Sequence, residues 1–214
     1  MNARRVLATR NRSWAKAVAA GLGRSGVRPN AVSVASVVVA FAAATAFAVS
    51  SQLEGASRAG ALLLAGAGIQ LRLLCNMLDG MLAVEGGLKS KTGDIYNELP
   101  DRLADVLILV GAGYGVSEAL RGPTLGWLVA VLAVLTAYVR VLSGSLGLPQ
   151  HFLGPMAKQH RMFTLTLAAL AAAIEAWLGL QPRALWLGLL VIAAGTTVTV
   201  WRRAARLLRE AEAR

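Results

Sequence analysis

The sequence predicts an all-α membrane protein, with six transmembrane helices preceded by an N-terminal amphipathic helix lying in the membrane interface. Three observations predict it. Of the 214 residues 56% are hydrophobic, although the formal charge is +11. The apolar residues gather in blocks of roughly 20, the length that crosses a hydrocarbon core as a helix. The Arg and Lys residues cluster at the ends of those blocks, which fits topology and anionic lipid rather than nucleic acid. The single Cys75 excludes an intramolecular disulfide.

Residues 1–28 are too basic and too broken in apolarity for a secretory signal. On a helical wheel Leu7, Trp14, Val18 and Leu22 fall on one side, with Arg5, Arg12 and Lys16 opposite, the pattern of an interfacial helix. A loosely ordered basic tail is the alternative for the same stretch. Pro29 breaks this segment, and Asn30 or Ser33 can cap the helix that follows. The six spans are expected at about Asn30 to Ser50, Ala59 to Val84, Gly93 to Ser117, Thr124 to Leu146, Met162 to Leu180 and Leu185 to Trp201. Together they make one transmembrane catalytic domain over 29–203, followed by a basic cytoplasmic tail at 204–214. Small residues dominate several spans, which suits close helix packing in lipid and permits a homodimer. Six spans put both termini on one side, together with Lys89, Lys91, Lys158 and Arg161. Opposite loops hold only Arg58, Arg121 and Arg183, so the richer side is the cytoplasmic face of a cell (inner) membrane by the positive-inside rule.

The stretch from Arg72 to Asp105 places acids at membrane depth, where charge is costly unless paired, metal-bound or solvated. Arg72, Asn76, Asp79 and Ala83 share one face of the second span. Asp94, Asn97, Glu98, Asp101 and Asp105 fall within about a third of a turn on the third, at about 100° per residue. Two helices presenting oxygen ligands inward can build a hard-cation site for Mg²⁺, which shares its shell with substrate phosphates. The bland alternative is that the acids pair with Arg72, Arg102 and Arg140. Acidic and amide groups outnumber those partners, and surplus buried carboxylates need a cation. Pro100 implies either a helix that starts near Leu99 or a kink beside Asp101, and the kink is favoured.

These residues resemble the signature of the CDP-alcohol phosphatidyltransferases: Asp, two residues, Asp-Gly, two residues, Ala-Arg, eight residues, Gly, three residues, Asp, three residues, Asp. The aligned positions read Asn76, Asp79-Gly80, Ala83-Val84, Gly93, Asn97 and Asp101, with every spacing kept. Asn stands for the first and third Asp, and Val84 for Arg, which looks like a subgroup with altered metal use. The likeness covers nearly the whole chain. It implies transfer of a phosphatidyl group from CDP-diacylglycerol to a small alcohol with release of CMP, using one or two divalent ions, Mg²⁺ or Mn²⁺. It also implies roles for the residues. Asp79 would be the principal metal ligand, with Asn76, Asn97 and Asp101 beside it and Asp101 as the base. Asn30, Gly80, Ala83, Gly93 and Lys91 would hold the CDP moiety. Asp94, Glu98 and Asp105 are possible substitute ligands for the lost carboxylates.

Arg140, Lys158, His160 and Arg161 are the expected acceptor-side groups, since such cations suit a phosphate or carboxylate. Headgroup contact is the competing role for Lys158 and Arg161, and a plain surface imidazole for His160. Hydrolysis of the CDP-lipid is a second enzymatic reading. An inactive scaffold that binds nucleotide-lipid is a third, motivated by the Asn substitutions.

Overall fold

The structure, a computed structural model, describes residues 13–84 and 92–213, and every regular element among them is helical. Runs rich in Ala, Leu and Val, interrupted by an interior proline only at Pro100 of α4, give α1 Ser13–Arg24, α2 Pro29–Ser50, α3 Gly55–Val84, α4 Gly93–Tyr114, α5 Gly122–Ser145, α6 Lys158–Trp177 and α7 Ala184–Glu212. A single 3-10 turn, Glu118–Leu120, links α4 to α5. The breaks fall where backbone chemistry demands them. Pro29 opens α2, where its missing N–H costs nothing. Gly179, at φ +67, closes α6 in a left-handed turn that lets Leu180 N–H reach the Glu175 carbonyl at 2.8 Å.

The six long helices close a ring in the order α2, α3, α6, α7, α5, α4, with α4 returning to α2, and α1 lies against α3. The inside of the ring is filled by Phe47, Leu62, Ile69, Ile108, Leu109, Met162, Leu165 and Leu189. Small residues set the close approaches. A Cβ on Gly111 of α4 would lie 2.5 Å from the Ala44 Cα of α2, so only glycine permits that crossing. The outer faces stay apolar, with Val38, Phe41, Leu64, Val131, Ile174 and Val191 all exposed. Apolar area spread over every side in this way belongs against lipid. Four helices, α2, α3, α5 and α7, are long and apolar enough to cross a membrane. The chain is thus a multi-pass membrane protein. The two other long helices, α4 and α6, carry Asp101, Asp105, Lys158 and Arg161 of the site described below.

Several expectations shift. The cap expected from Asn30 or Ser33 is absent: Arg28 stands at that position without a side-chain bond. Ser33 looks inward instead. Pro100 keeps to the favoured reading in lying inside α4 rather than at its start. The tail expected from residue 204 is the last third of α7, which runs on to Glu212. Of the N-terminal segment, residues 1–12 lie outside the described residues. In α1, Ala15 and Ala19 face α3, while Trp14, Lys16 and Val18 are exposed.

Candidate active site

Arg72 places a guanidinium inside the bundle with no exposed surface. A buried cation must be paired, and α4 supplies the partners. Arg72 Nη2 donates to Asp105 Oδ1 at 2.8 Å, to the Asp101 carbonyl at 2.9 Å and to Asp101 Oδ1 at 3.4 Å. Arg161 of α6 takes the remaining Asp105 oxygen, Oδ2, at 3.2 Å, and also donates to the Met156 carbonyl at 3.1 Å and Thr136 Oγ1 at 3.4 Å. Asp105 is therefore the centre of a buried clamp joining α3, α4 and α6. Both of its oxygens accept from buried arginines, which occupies Asp105 as an ion-pair partner.

Asp79 is buried too, at 5% exposure, but differently placed. Its Oδ2 accepts from the Ser33 hydroxyl of α2 at 2.6 Å. Its Oδ1 is buried without a hydrogen-bond partner among the described residues. The charges of Asp101 and Lys158 act on it across the site. Asn76, one turn earlier on α3, donates its amide nitrogen to Asp101 Oδ1. Asp101 Oδ2 accepts from Lys158 Nζ at 2.5 Å, and Arg102 Nη2 stands 3.7 Å away. Four helices thus converge on one polar centre: α2 through Ser33, α3 through Asn76 and Asp79, α4 through Asp101 and α6 through Lys158.

Two cavities meet at this centre. One, of about 370 Å³, is lined by Trp14, Gln70, Leu73, Leu74, Asn76 and Met77. The other, of about 470 Å³, is lined by Asp94, Glu98, Arg102, Arg140, Arg161 and Arg203, with Gln150 and Phe152 at its edge. Asn97, Asp101, Lys158 and Gln159 line both and form the wall between them. The first has an apolar side formed by Trp14, Leu73, Leu74 and Met77, whereas the second carries more basic than acidic side chains, so the two faces of Asp101 differ in character.

The remaining expected residues divide. Glu98 pairs with Arg140 at 2.6 Å and with Arg102 at 3.2 Å, so the bland ion-pair alternative describes Glu98, Asp101 and Asp105 but leaves Asp79 unpaired. Asp94 is exposed in the basic cavity. Asn30, Gly80, Ala83 and Gly93 are half-buried near the ends of α2, α3 and α4 and line neither cavity. His160 is exposed, holds the Pro155 carbonyl with Nδ1 at 2.8 Å and lines neither cavity. Lys91 lies outside the described residues. Sequence reasoning missed Ser33, Arg203, Gln150 and Phe152. Phe152 carries the Arg140 guanidinium over its ring at 5.4 Å, and Gln150 Oε1 accepts from Arg140 at 3.3 Å.

Among the described residues no three His, Cys, Asp or Glu side chains cluster as a metal site. Hard cations also accept amide and water oxygens. The Asp79 Oδ1, without a hydrogen-bond partner among the described residues, and the Asn76 and Asn97 side chains in the wall of the smaller cavity are oxygens of that kind.

The fold and this centre define a class, a helical multi-pass membrane protein whose polar site is split between two motif-bearing helices. The chain belongs to the CDP-alcohol phosphatidyltransferase family, whose model matches residues 27–204. Among solved structures it is similar to phosphatidylinositol phosphate synthase (PgsA1) of Mycobacterium tuberculosis. With CDP-DAG bound, that protein superposes with a TM-score of 0.75 at 20% identity, covering 90% of this chain and 92% of that one. Its complex with manganese and citrate also gives 0.75 at 20% identity, covering 91% and 88%. The apo form gives 0.71 at 20% identity, covering 88% and 93%. Among curated protein sequences none matches.

Proposed function

We propose that the protein moves a phosphatidyl group from CDP-diacylglycerol to an alcohol and releases CMP, as a step of phospholipid synthesis. The observation that carries this reading is the Asn76–Asp101 contact in the wall between the two cavities, which joins both halves of the family motif at one point. The acceptor hydroxyl attacks the phosphatidyl phosphorus, the bond from that phosphorus to the CMP oxygen breaks, and CMP leaves with the electron pair. Asp101 takes the hydroxyl proton, as a positioned general base does. Arg72 and Asn76 hold that carboxylate in place.

Asp79, with Asn76 and Asn97, would hold a divalent ion, Mg²⁺ or Mn²⁺, which when bound would neutralise charge on the diphosphate. Ser33 orients Asp79 for that task. Gly80, Ala83 and Gly93, with Asn30 and Lys91, receive the CDP moiety beside Asp79. The apolar cavity next to Leu73, Leu74 and Met77 takes the lipid side. The basic cavity takes the acceptor, with Arg140 and Lys158 facing it and Arg161 buttressing its floor through Asp105. We read the membrane arrangement as six spans, α2 to α7, with α1 in the interface, both termini and the site cytoplasmic, and a homodimer formed through small-residue faces.

The test is CMP release by the purified protein with CDP-diacylglycerol, Mn²⁺ and a panel of glycerol 3-phosphate, inositol phosphate, serine and unphosphorylated polyols. Release that requires one of these alcohols is expected. CMP and phosphatidic acid formed without any alcohol make the protein a hydrolase, and no CMP under any condition defeats both enzymatic readings.

A further inference from the structure

The two Asn residues of the motif change the charge of the site by an amount that can be counted. Asp79, Asp101 and Asp105 bring three negative charges to the centre, Arg72, Lys158 and Arg161 bring three positive ones, and Arg102 beside Asp101 is offset by its own partner Glu98. The centre is neutral before any metal enters. With Asp at 76 and 97 it would carry two further negative charges, the equivalent of one divalent ion. The charge of Asp101 is also already matched: Asn76 and Arg72 donate to Oδ1, and Lys158 donates to Oδ2 at 2.5 Å. A second ion at Asp101 would have to displace an ammonium that already neutralises it.

The position of Lys158 points the same way. It opens α6, where a cation opposes the helix macrodipole. Helix stability therefore gives no reason for a lysine there, whereas Asp101 does. An ammonium is a compact point charge with three donors on a flexible stem, closer to a metal ion in behaviour than a guanidinium is. Lying in the wall of both cavities, it reaches a ligand in either.

We propose that the Lys158 ammonium stands in for a second divalent cation, so that this chain works with a single metal ion held on the Asp79 side. The inference rests on the phosphatidyl-transfer reading for the purpose of the site, but its test does not. Full-length protein in lipid nanodiscs is titrated with Mn²⁺, and bound ion is counted by electron paramagnetic resonance without any substrate. Wild type binds one Mn²⁺ per chain with an uncoupled signal, and Asp79→Asn abolishes it. The triple variant Asn76→Asp, Asn97→Asp, Lys158→Met gains a second ion with the spin coupling of a close pair. Two coupled ions in wild type overturn the proposal, as does no bound ion at all, and neither result depends on whether the triple variant folds. A folded triple variant that still holds one ion overturns it as well. One bound Mn²⁺ without CMP release would sink phosphatidyl transfer and leave the ion count standing.

Discussion

Ser33 holds Asp79 at 2.6 Å from the neighbouring helix, the kind of outer-shell contact that fixes a ligand's orientation. Ser33→Ala is expected to weaken Mn²⁺ binding and CMP release by about ten- to a hundredfold, the usual loss for such partners. Mn²⁺ titration of the variant beside wild type checks this. Asp105 tests the opposite role. Asp105→Ala strands two buried guanidiniums, Arg72 and Arg161, and breaking a buried pair in this way costs about 3–5 kcal/mol. Chemical denaturation in detergent reads that loss. The sequence made Asn76, Asp79 and Asp101 legible because their spacing on each helix repeats the turn. Ser33 was not legible: a serine near a helix start reads as a cap, and its true partner lies 46 residues away. The ownership of Asp105 was equally hidden, since nothing local on α4 says that Arg161 arrives from α6.

At the scale of elements, helix positions followed from apolar blocks and turn residues, and most ends fell within a few residues of the expected ones. The largest error was α7. The apolar block stops at Trp201, but the Ala, Leu, Arg and Glu residues beyond it are good helix formers and continue the helix. That extension has a use. Glu210 receives Arg206 Nε at 2.5 Å and His151 Nε2 at 2.8 Å, while Arg203 Nε donates to the Leu153 carbonyl at 2.9 Å. The segment 146–157, which carries Gln150 and Phe152 at the edge of the basic cavity, is thereby tied to α7.

The Arg206 hydrogen bond, and after it the contact with His151, hold the Glu210 carboxyl below its ordinary range. A depressed carboxyl contributes stability above its unfolded value, about 4.3 for Glu, and loses it as pH falls through the lower folded value. Hydrogen exchange across residues 148–154 should therefore rise on acidification below about pH 4, where Glu protonates. Glu210→Gln should show the raised exchange already at neutral pH.

For the whole molecule, the ring brings α3 and α4 face to face across the site without packing them tightly together, because α2 and α6 stand beside α3 and α2 and α5 beside α4. That spacing is what leaves room for two cavities with a shared wall. The family motif shows in sequence which helices carry the site, but not that the chain closes a ring around it, since ring order depends on partners far apart in sequence. The proposed six-span arrangement has a direct check in a Cys75→Ala background. Single cysteines at Arg58 and Arg183 should react with an impermeant thiol reagent added outside intact cells, and cysteines at Leu148 and Leu207 should not.

The central claim is that the Asp79–Asp101 centre performs the transfer, with Asp101 receiving the proton. The measurement that reaches it most directly is CMP release from CDP-diacylglycerol by wild type and Asp101→Asn under one set of conditions, with nucleotide-lipid binding followed in parallel. Loss of release by about a hundredfold to ten-thousandfold, the range of a general base, with binding retained is the expected result. Wild-type rates of CMP release from Asp101→Asn would contradict it.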